Sequence, residues 1–273
     1  MKNMVQASTG RIIGRKVEET EHVIIRLGNR DYFMDRHIKG LDFETDAKIT
    51  PSRYAFIFPE GLSFDSHVRV NLYSAISMQQ HFNRSNFNQA NAKALKQGLA
   101  VATPSEFITN YINVNEALQG RSVVYDASGN LVYGKKLNSY ADKLNHDSWV
   151  YLNARFPKEE EKDTGFLGLD LVTITGLDKE GKRVVEIVPL EKCLETNCWA
   201  DLESLNSQGF PTKKSPIEKY EPGKSIYFWY PIEDCVAWFV ADLIRAYLNC
   251  CGDPQVSDSA LGVFPVVNST RNN

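Results

Sequence analysis

The side chains of this sequence that could do chemistry are its cysteines and one histidine–aspartate pair. Cys193 and Cys198 have the spacing of half a metal site, but a structural zinc takes four ligands, and no histidine or second cysteine pair lies nearby. His146 and Asp147 could act with a distant cysteine, yet adjacent residues rarely face each other. We favour the end of a helix for His146. We therefore expect no catalytic residue, no metal and no other cofactor.

Composition narrows the class of protein. The 273 residues, 42% hydrophobic and 24% charged, are typical of a soluble globular protein with a core of its own. The net charge of −3 argues against nucleic-acid binding. No apolar run approaches the roughly 20 residues of a membrane span, and the start lacks the apolar core of a secretory signal. The cysteine count of 5 is odd, so we expect synthesis in the cytoplasm with reduced thiols.

Local signals predict both strands and helices. A Gly-Asn pair between two β-prone runs predicts a hairpin over residues 22–34. The clearest helix begins after Thr103, where Pro104 suits the first turn and Glu106 completes a capping box. Other elements predicted in this way are strands over 53–58 and 149–156, hairpins over 122–134 and 168–190, and a helix over 138–145.

The strand predicted over residues 149–156 has two different faces. One face is apolar, and the other carries Trp149, Tyr151, Asn153 and Arg155. The mixed face either binds something or packs under another layer of the protein.

Residues 236–251 fit two structures. Apolar residues recur at helical spacing from Val236 to Leu248, and Gly252 could end a buried helix over 231–250. The same residues fit two strands with a connection over 242–245. One strand face is then uniformly small or apolar, and the other mixes aromatic, aliphatic, amide and thiol groups. Local pattern does not decide between these structures.

The frame VAxFxADxxRAxLxCxxDPxxSxxALGV, over residues 236–263, resembles a known family. It is similar to the C-terminal variable region of diversity-generating retroelement variable proteins. Those proteins have a C-type lectin-like fold related to formylglycine-generating enzymes. The preceding NSQGFPTKKS and SIYFWYP also resemble that family, so the likeness covers residues 205–267. An arginine usual in the family's tail is replaced here by Phe264.

The resemblance implies an α+β protein with a C-type lectin-like domain over 66–273, a variable region near 225–267 and a β-rich N-terminal segment over 1–65. The implied scaffold positions are Ala237, Phe239, Ala241, Arg245, Leu248 and Gly262. The implied ligand-binding positions, open to substitution, are Trp229, Trp238, Val240, Leu243, Ile244, Tyr247, Asn249, Cys251, Asp253 and Gln255.

We therefore expect a ligand-binding protein, not an enzyme, with a hypervariable surface that recognises a protein or other surface ligand. Attachment at a virion or cell surface fits this role, and several copies acting together would strengthen binding. Neither a nucleic-acid partner nor a membrane span is expected. Two alternatives stay open: a cysteine-dependent oxidoreductase of a related fold, and a structural domain with a buried C-terminal helix.

Overall fold

The computed structural model describes residues 58–60, 62–71, 74–157, 165–242 and 244–271, together with short strands before residue 57. These short strands are β1 (Ile12–Gly14), β2 (Ile25–Leu27), β3 (Arg30–Tyr32), β4 (Leu41–Phe43) and β5 (Tyr54–Phe56). β2 and β3 pair antiparallel, so the hairpin predicted over 22–34 is confirmed. β1 pairs with β4, and β5 is the strand predicted over 53–58.

The helices of the described ranges are α1 (Phe87–Lys96), α2 (Pro104–Leu118) and α3 (Gly134–His146). In α2, the Glu106 carboxylate accepts the Thr103 N–H at 2.9 Å, and the Thr103 hydroxyl accepts the Glu106 N–H at 3.3 Å. The capping box predicted there is confirmed. The helix predicted over 138–145 is α3, which begins earlier, at Gly134.

The other strands build two larger sheets, and β9 and β10 pair with each other as a separate hairpin. In chain order they are β6 (His67–Arg69), β7 (Ser74–Ser77), β8 (Ala100–Val101), β9 (Val124–Tyr125), β10 (Leu131–Val132), β11 (Ser148–Phe156), β12 (Asp170–Leu177), β13 (Arg183–Pro189), β14 (Cys198–Asp201), β15 (Ser225–Trp229), β16 (Cys235–Asp242), β17 (Arg245–Gly252) and β18 (Pro265–Arg271). The larger sheet has the order β13-β12-β11-β16-β17-β15-β14, with β15 and β17 parallel and the other neighbours antiparallel. The smaller sheet has the order β5-β18-β7-β6, and β8 also pairs with β18.

This arrangement of sheets and helices is mixed α+β, which confirms the predicted class. The hairpins predicted over 122–134 and 168–190 are β9–β10 and β12–β13. β5 pairs with β18 across the boundary predicted at residue 65. The division of the chain into two parts stays a prediction. Within the described ranges, none of the helices is both long enough and apolar enough to cross a membrane.

The larger sheet separates two hydrophobic cores. The first core packs α2 and α3 against one face of the sheet, around Phe239. The second core lies over the other face at β11 and includes Phe87 of α1 and Tyr151. Tyr151 and Asn153 are buried. The Asn153 carboxamide accepts the Ile174 N–H and donates to the Ile174 carbonyl, each at 2.9 Å. The mixed face of β11 therefore packs under another layer of the protein at these two residues.

Candidate functional site

Residues 235–252 form a β-hairpin, so of the two structures that the sequence left open the two strands are confirmed and the buried helix over 231–250 is wrong. The Asp242 carboxylate fixes the turn by accepting the N–H groups of Ile244 at 3.0 Å and Arg245 at 3.1 Å. Burial alone would raise the pKa of Asp242, but these bonds and the Arg245 guanidinium hold it below its usual value. Helical spacing was misleading because apolar residues occupy both faces of β16.

One face of the hairpin is entirely buried. The Phe239 ring lies 4.8 Å from the Phe107 ring and 5.0 Å from the Tyr111 ring, both on α2. Other buried members of this face are Ala237, Ala241, Ala246, Leu248 and Cys250. The uniformly small or apolar strand face of the sequence is thus the core-facing side of the hairpin.

Two further scaffold positions have different surroundings. Gly262 is buried, and a Cβ there would lie 2.6 Å from the carbonyl oxygen of His81, so the close approach of two backbones requires glycine. Arg245 is exposed instead of buried. It lies on the same face as Tyr247, with its guanidinium carbon 5.7 Å from the centre of that ring, and it pairs with Asp242. Arg245 therefore belongs to the open face of the hairpin.

The open face of the hairpin continues across neighbouring strands. Residues that are directly paired on neighbouring strands lie on the same face of a sheet. One row of such residues crosses four strands, from Val240 on β16 through Tyr247 on β17 and Tyr227 on β15 to Trp199 on β14. A second row joins Trp238, Asn249 and Trp229. We call the part over β14, β15 and β17 the aromatic face, defined by Trp199, Tyr227, Trp229, Tyr247 and Asn249.

Three rings of the aromatic face, those of Trp199, Tyr227 and Trp229, make edge-to-face contacts. The Trp199 and Tyr227 rings are 5.5 Å apart, and the Tyr227 and Trp229 rings are 5.6 Å apart. Trp229 is 38% exposed, and the other members are half-buried. The backbone that carries them is held by a sheet whose other side is core, as the buried Phe228 and Leu248 show. The aromatic face is therefore a rigid surface with large side chains available for contact.

Trp238 is set differently from the aromatic face. A Cβ on Gly252 would lie 2.5 Å from the Trp238 indole, so the ring packs directly on this glycine. It also contacts the Trp149 ring at 5.9 Å and the Tyr151 ring at 5.8 Å, at the margin of the second core. The Tyr151 hydroxyl donates to the Val256 carbonyl at 2.6 Å, which ties the following loop over this region. Trp238 therefore supports the fold as well as the surface.

The remaining predicted ligand-binding residues lie at the rim. Ile244 is at the hairpin tip and is 81% exposed. Cys251 is half-buried, and its thiol donates to the Asn249 carboxamide oxygen at 3.0 Å. Asp253 and Gln255 are exposed in the loop after β17, where the Asp253 carboxylate accepts the Gln255 N–H at 2.8 Å. Leu243 lies outside the described residues.

Two members of the aromatic face, Trp199 and Tyr227, were not among the predicted residues. Alternation in SIYFW could have placed Tyr227 beside Trp229 on one face. No local signal could have placed Trp199, since its position depends on the pairing of β14 with β15.

Four of the cysteines, Cys193, Cys235, Cys250 and Cys251, have thiol pKa values raised by burial. Burial raises the pKa of Cys193 to about 12 and that of Cys250 well above its usual value. It also raises the pKa values of Cys235 and Cys251. An activated cysteine needs the opposite shift. Within the described ranges, no three His, Cys, Asp or Glu side chains are grouped as metal ligands would be.

His146 is the last residue of α3, as favoured from the sequence, and the Asp147 carboxylate pairs with Lys143.

Comparison of the chain with protein-family models, with curated proteins and with solved structures finds no match.

Proposed function

We propose that the protein binds a ligand through the aromatic face and that a retroelement diversifies the exposed positions of this surface. The observation that carries the proposal is the strict alternation of buried residues with half-buried or exposed residues along the hairpin, from Ala237 in β16 to Cys251 in β17. The open face joins the rings of Trp199, Tyr227 and Trp229 into one surface.

Tryptophan and tyrosine suit such a surface. They supply a large contact area with few rotatable bonds, and they dominate the energetics of many protein interfaces. Arg245 and Asn249 add hydrogen-bonding groups beside the rings. Asp242 pairs with Arg245 across the turn, so the neighbourhood is not strongly basic. This chemistry favours a protein or another partly apolar surface ligand over a nucleic acid.

Diversification requires positions that change without altering the fold. Tyr247 and Asn249 project from β17 into the open face, while Ala246 and Leu248, which alternate with them along the strand, are buried. A substitution at the first pair changes the surface, whereas one at the second disturbs the core. This alternation supports the variable region proposed near 225–267, in a domain of the C-type lectin-like kind. Attachment at a virion or cell surface is the role we propose for such a protein.

A paired library tests the proposal. The first library randomises the half-buried or exposed Trp229, Val240, Ile244, Tyr247 and Asn249 on cell-displayed protein. The control library randomises the buried Ala237, Phe239, Ala246, Leu248 and Cys250. Both are scored for protease resistance and then selected on immobilised streptavidin as the probe protein.

We expect most members of the first library to stay folded and to yield streptavidin binders, and most members of the control library to unfold. Equal loss of folding in both libraries, or folded members that yield no binder, would contradict the proposal.

A further inference from the structure

The edge strand β13 is an exposed apolar strand. Val184 is 44% exposed, Val185 43% and Ile187 59%. β13 forms one edge of the larger sheet. The Gln208 carboxamide donates to the Pro189 carbonyl at the end of this edge at 2.9 Å, whereas across the described ranges no backbone group bonds the outer side of residues 183–187. The opposite edge differs, since β14 is covered by its own chain: the Ser215 N–H donates to the Trp199 carbonyl at 2.8 Å. An uncovered apolar edge is a site for pairing with a further strand.

The hydrogen bonds of the hairpin show which groups of β13 point outward. The Lys182 carbonyl accepts the Asp178 N–H at 2.8 Å, and the Leu190 N–H donates to the Leu169 carbonyl at 3.1 Å. Both groups therefore point inward, toward β12. The backbone N–H and C=O groups of successive residues in a strand point to opposite edges. The backbone groups of Val184, Glu186 and Val188, the even-numbered residues between Lys182 and Leu190, therefore also point inward, toward β12. The N–H and C=O groups of Arg183, Val185 and Ile187 then point outward, ready for a partner strand.

The side chains of this edge are complementary to themselves. Three side chains share one face of the strand: the positive Lys182, the apolar Val184 and the negative Glu186. A second copy related by a two-fold axis through the Val184 pair places Lys182 opposite Glu186 on both sides. A register centred on Glu186 would instead oppose two carboxylates, and one centred on Arg183 would oppose two guanidinium groups.

We propose that two copies of this chain dimerise by antiparallel pairing of β13 with β13, in the register centred on Val184. The outward groups of Arg183 and Val185 then exchange hydrogen bonds with those of Val185 and Arg183 of the second copy. Lys182 is available for this contact because its present pairing with Glu180 joins two side chains that are 75% and 70% exposed. The contact lies at the opposite edge from β14 and leaves the aromatic face uncovered, so it does not depend on the proposed function.

Sedimentation velocity of the full chain over a series of concentrations tests the proposal. The wild type should dimerise. Glu186→Lys and Lys182→Glu, each alone, should raise the dimer dissociation constant by about tenfold or more, because each places like charges opposite one another twice. An equimolar mixture of the two variants should recover the dimer, since the charges then alternate correctly in the heterodimer. Glu218→Lys is the matched control, because Glu218 is exposed and distant from β13 in sequence.

Three results would overturn the proposal: a monomer at every concentration, a dimer that Glu186→Lys affects no more than Glu218→Lys does, or single variants whose mixture stays monomeric. Hydrogen exchange gives a second readout. The amides of Arg183 and Val185 should exchange more slowly as the wild-type concentration rises, and exchange independent of concentration would place the contact elsewhere.

Discussion

The division of the hairpin into a buried face and an open face predicts very different costs for two similar substitutions. Phe239→Ala removes a fully buried ring that packs 4.8 Å from Phe107 and 5.0 Å from Tyr111. Deletion of a buried aromatic side chain costs about 3–5 kcal/mol of unfolding free energy. Tyr247→Ala removes a half-buried ring from the adjacent strand and should cost about 1 kcal/mol or less.

Urea unfolding followed by tryptophan fluorescence measures both costs. With an m-value of about 3 kcal/mol/M, Phe239→Ala should lower the unfolding midpoint by about 1–1.7 M. Tyr247→Ala should lower it by no more than about 0.3 M on the same scale. Equal shifts for the two variants, or a larger shift for Tyr247→Ala, would refute the assignment of the two faces.

Three further predictions concern positions outside the hairpin. Burial, with a smaller contribution from His81, lowers the pKa of His67 from 6.5 to about 4 against the opposing effects of the Ser63 carbonyl and Asp65. The unfolded chain therefore takes up the proton first as pH falls, so stability should be full above pH 6.5 and drop by up to about 3 kcal/mol toward pH 4. His67→Gln should flatten this profile in urea unfolding. Gly209→Ala should cost about 2–5 kcal/mol, because φ is +89° and a Cβ would lie 2.3 Å from the backbone at the start of α2. Gly181→Ala is the control, because its φ is +77° but the space around the Cβ is open, and it should cost only about 1–2 kcal/mol. Thermal unfolding measures both glycine variants. Thr103→Ala should cost about 1 kcal/mol through loss of the α2 cap, and an unchanged melting temperature would contradict that role.

The parts of the fold that the sequence predicts well are those set by local interactions. The start of α2 depends on Thr103, Pro104 and Glu106, which lie within one helical turn. The β12–β13 hairpin depends on a turn in which the Asp178 carboxylate accepts the N–H groups of Glu180 and Lys182. Each signal is complete within a few residues, so no distant contact was needed to recognise it.

The hairpin over 235–252 could not be settled locally, because its apolar residues serve two cores. Phe239 packs in the first core, whereas Val236 and Trp238 belong to the second, so apolar residues fall on both faces of one strand. The aromatic face was incomplete for a related reason. Tyr227 lies beside Tyr247 through a parallel pairing of β15 with β17, and long-range pairing of this kind leaves no local pattern.

The most direct test of the central claim is to sequence the DNA that flanks the gene. We expect a near-copy of codons 225–267 beside a reverse transcriptase gene. Its differences should fall at adenines in the codons of open positions such as Trp229, Tyr247 and Asn249, and they should spare the buried Phe239 and Leu248. A near-copy whose differences fall in the codons of buried residues, or the lack of any near-copy, would contradict the claim that this face is a diversified recognition surface.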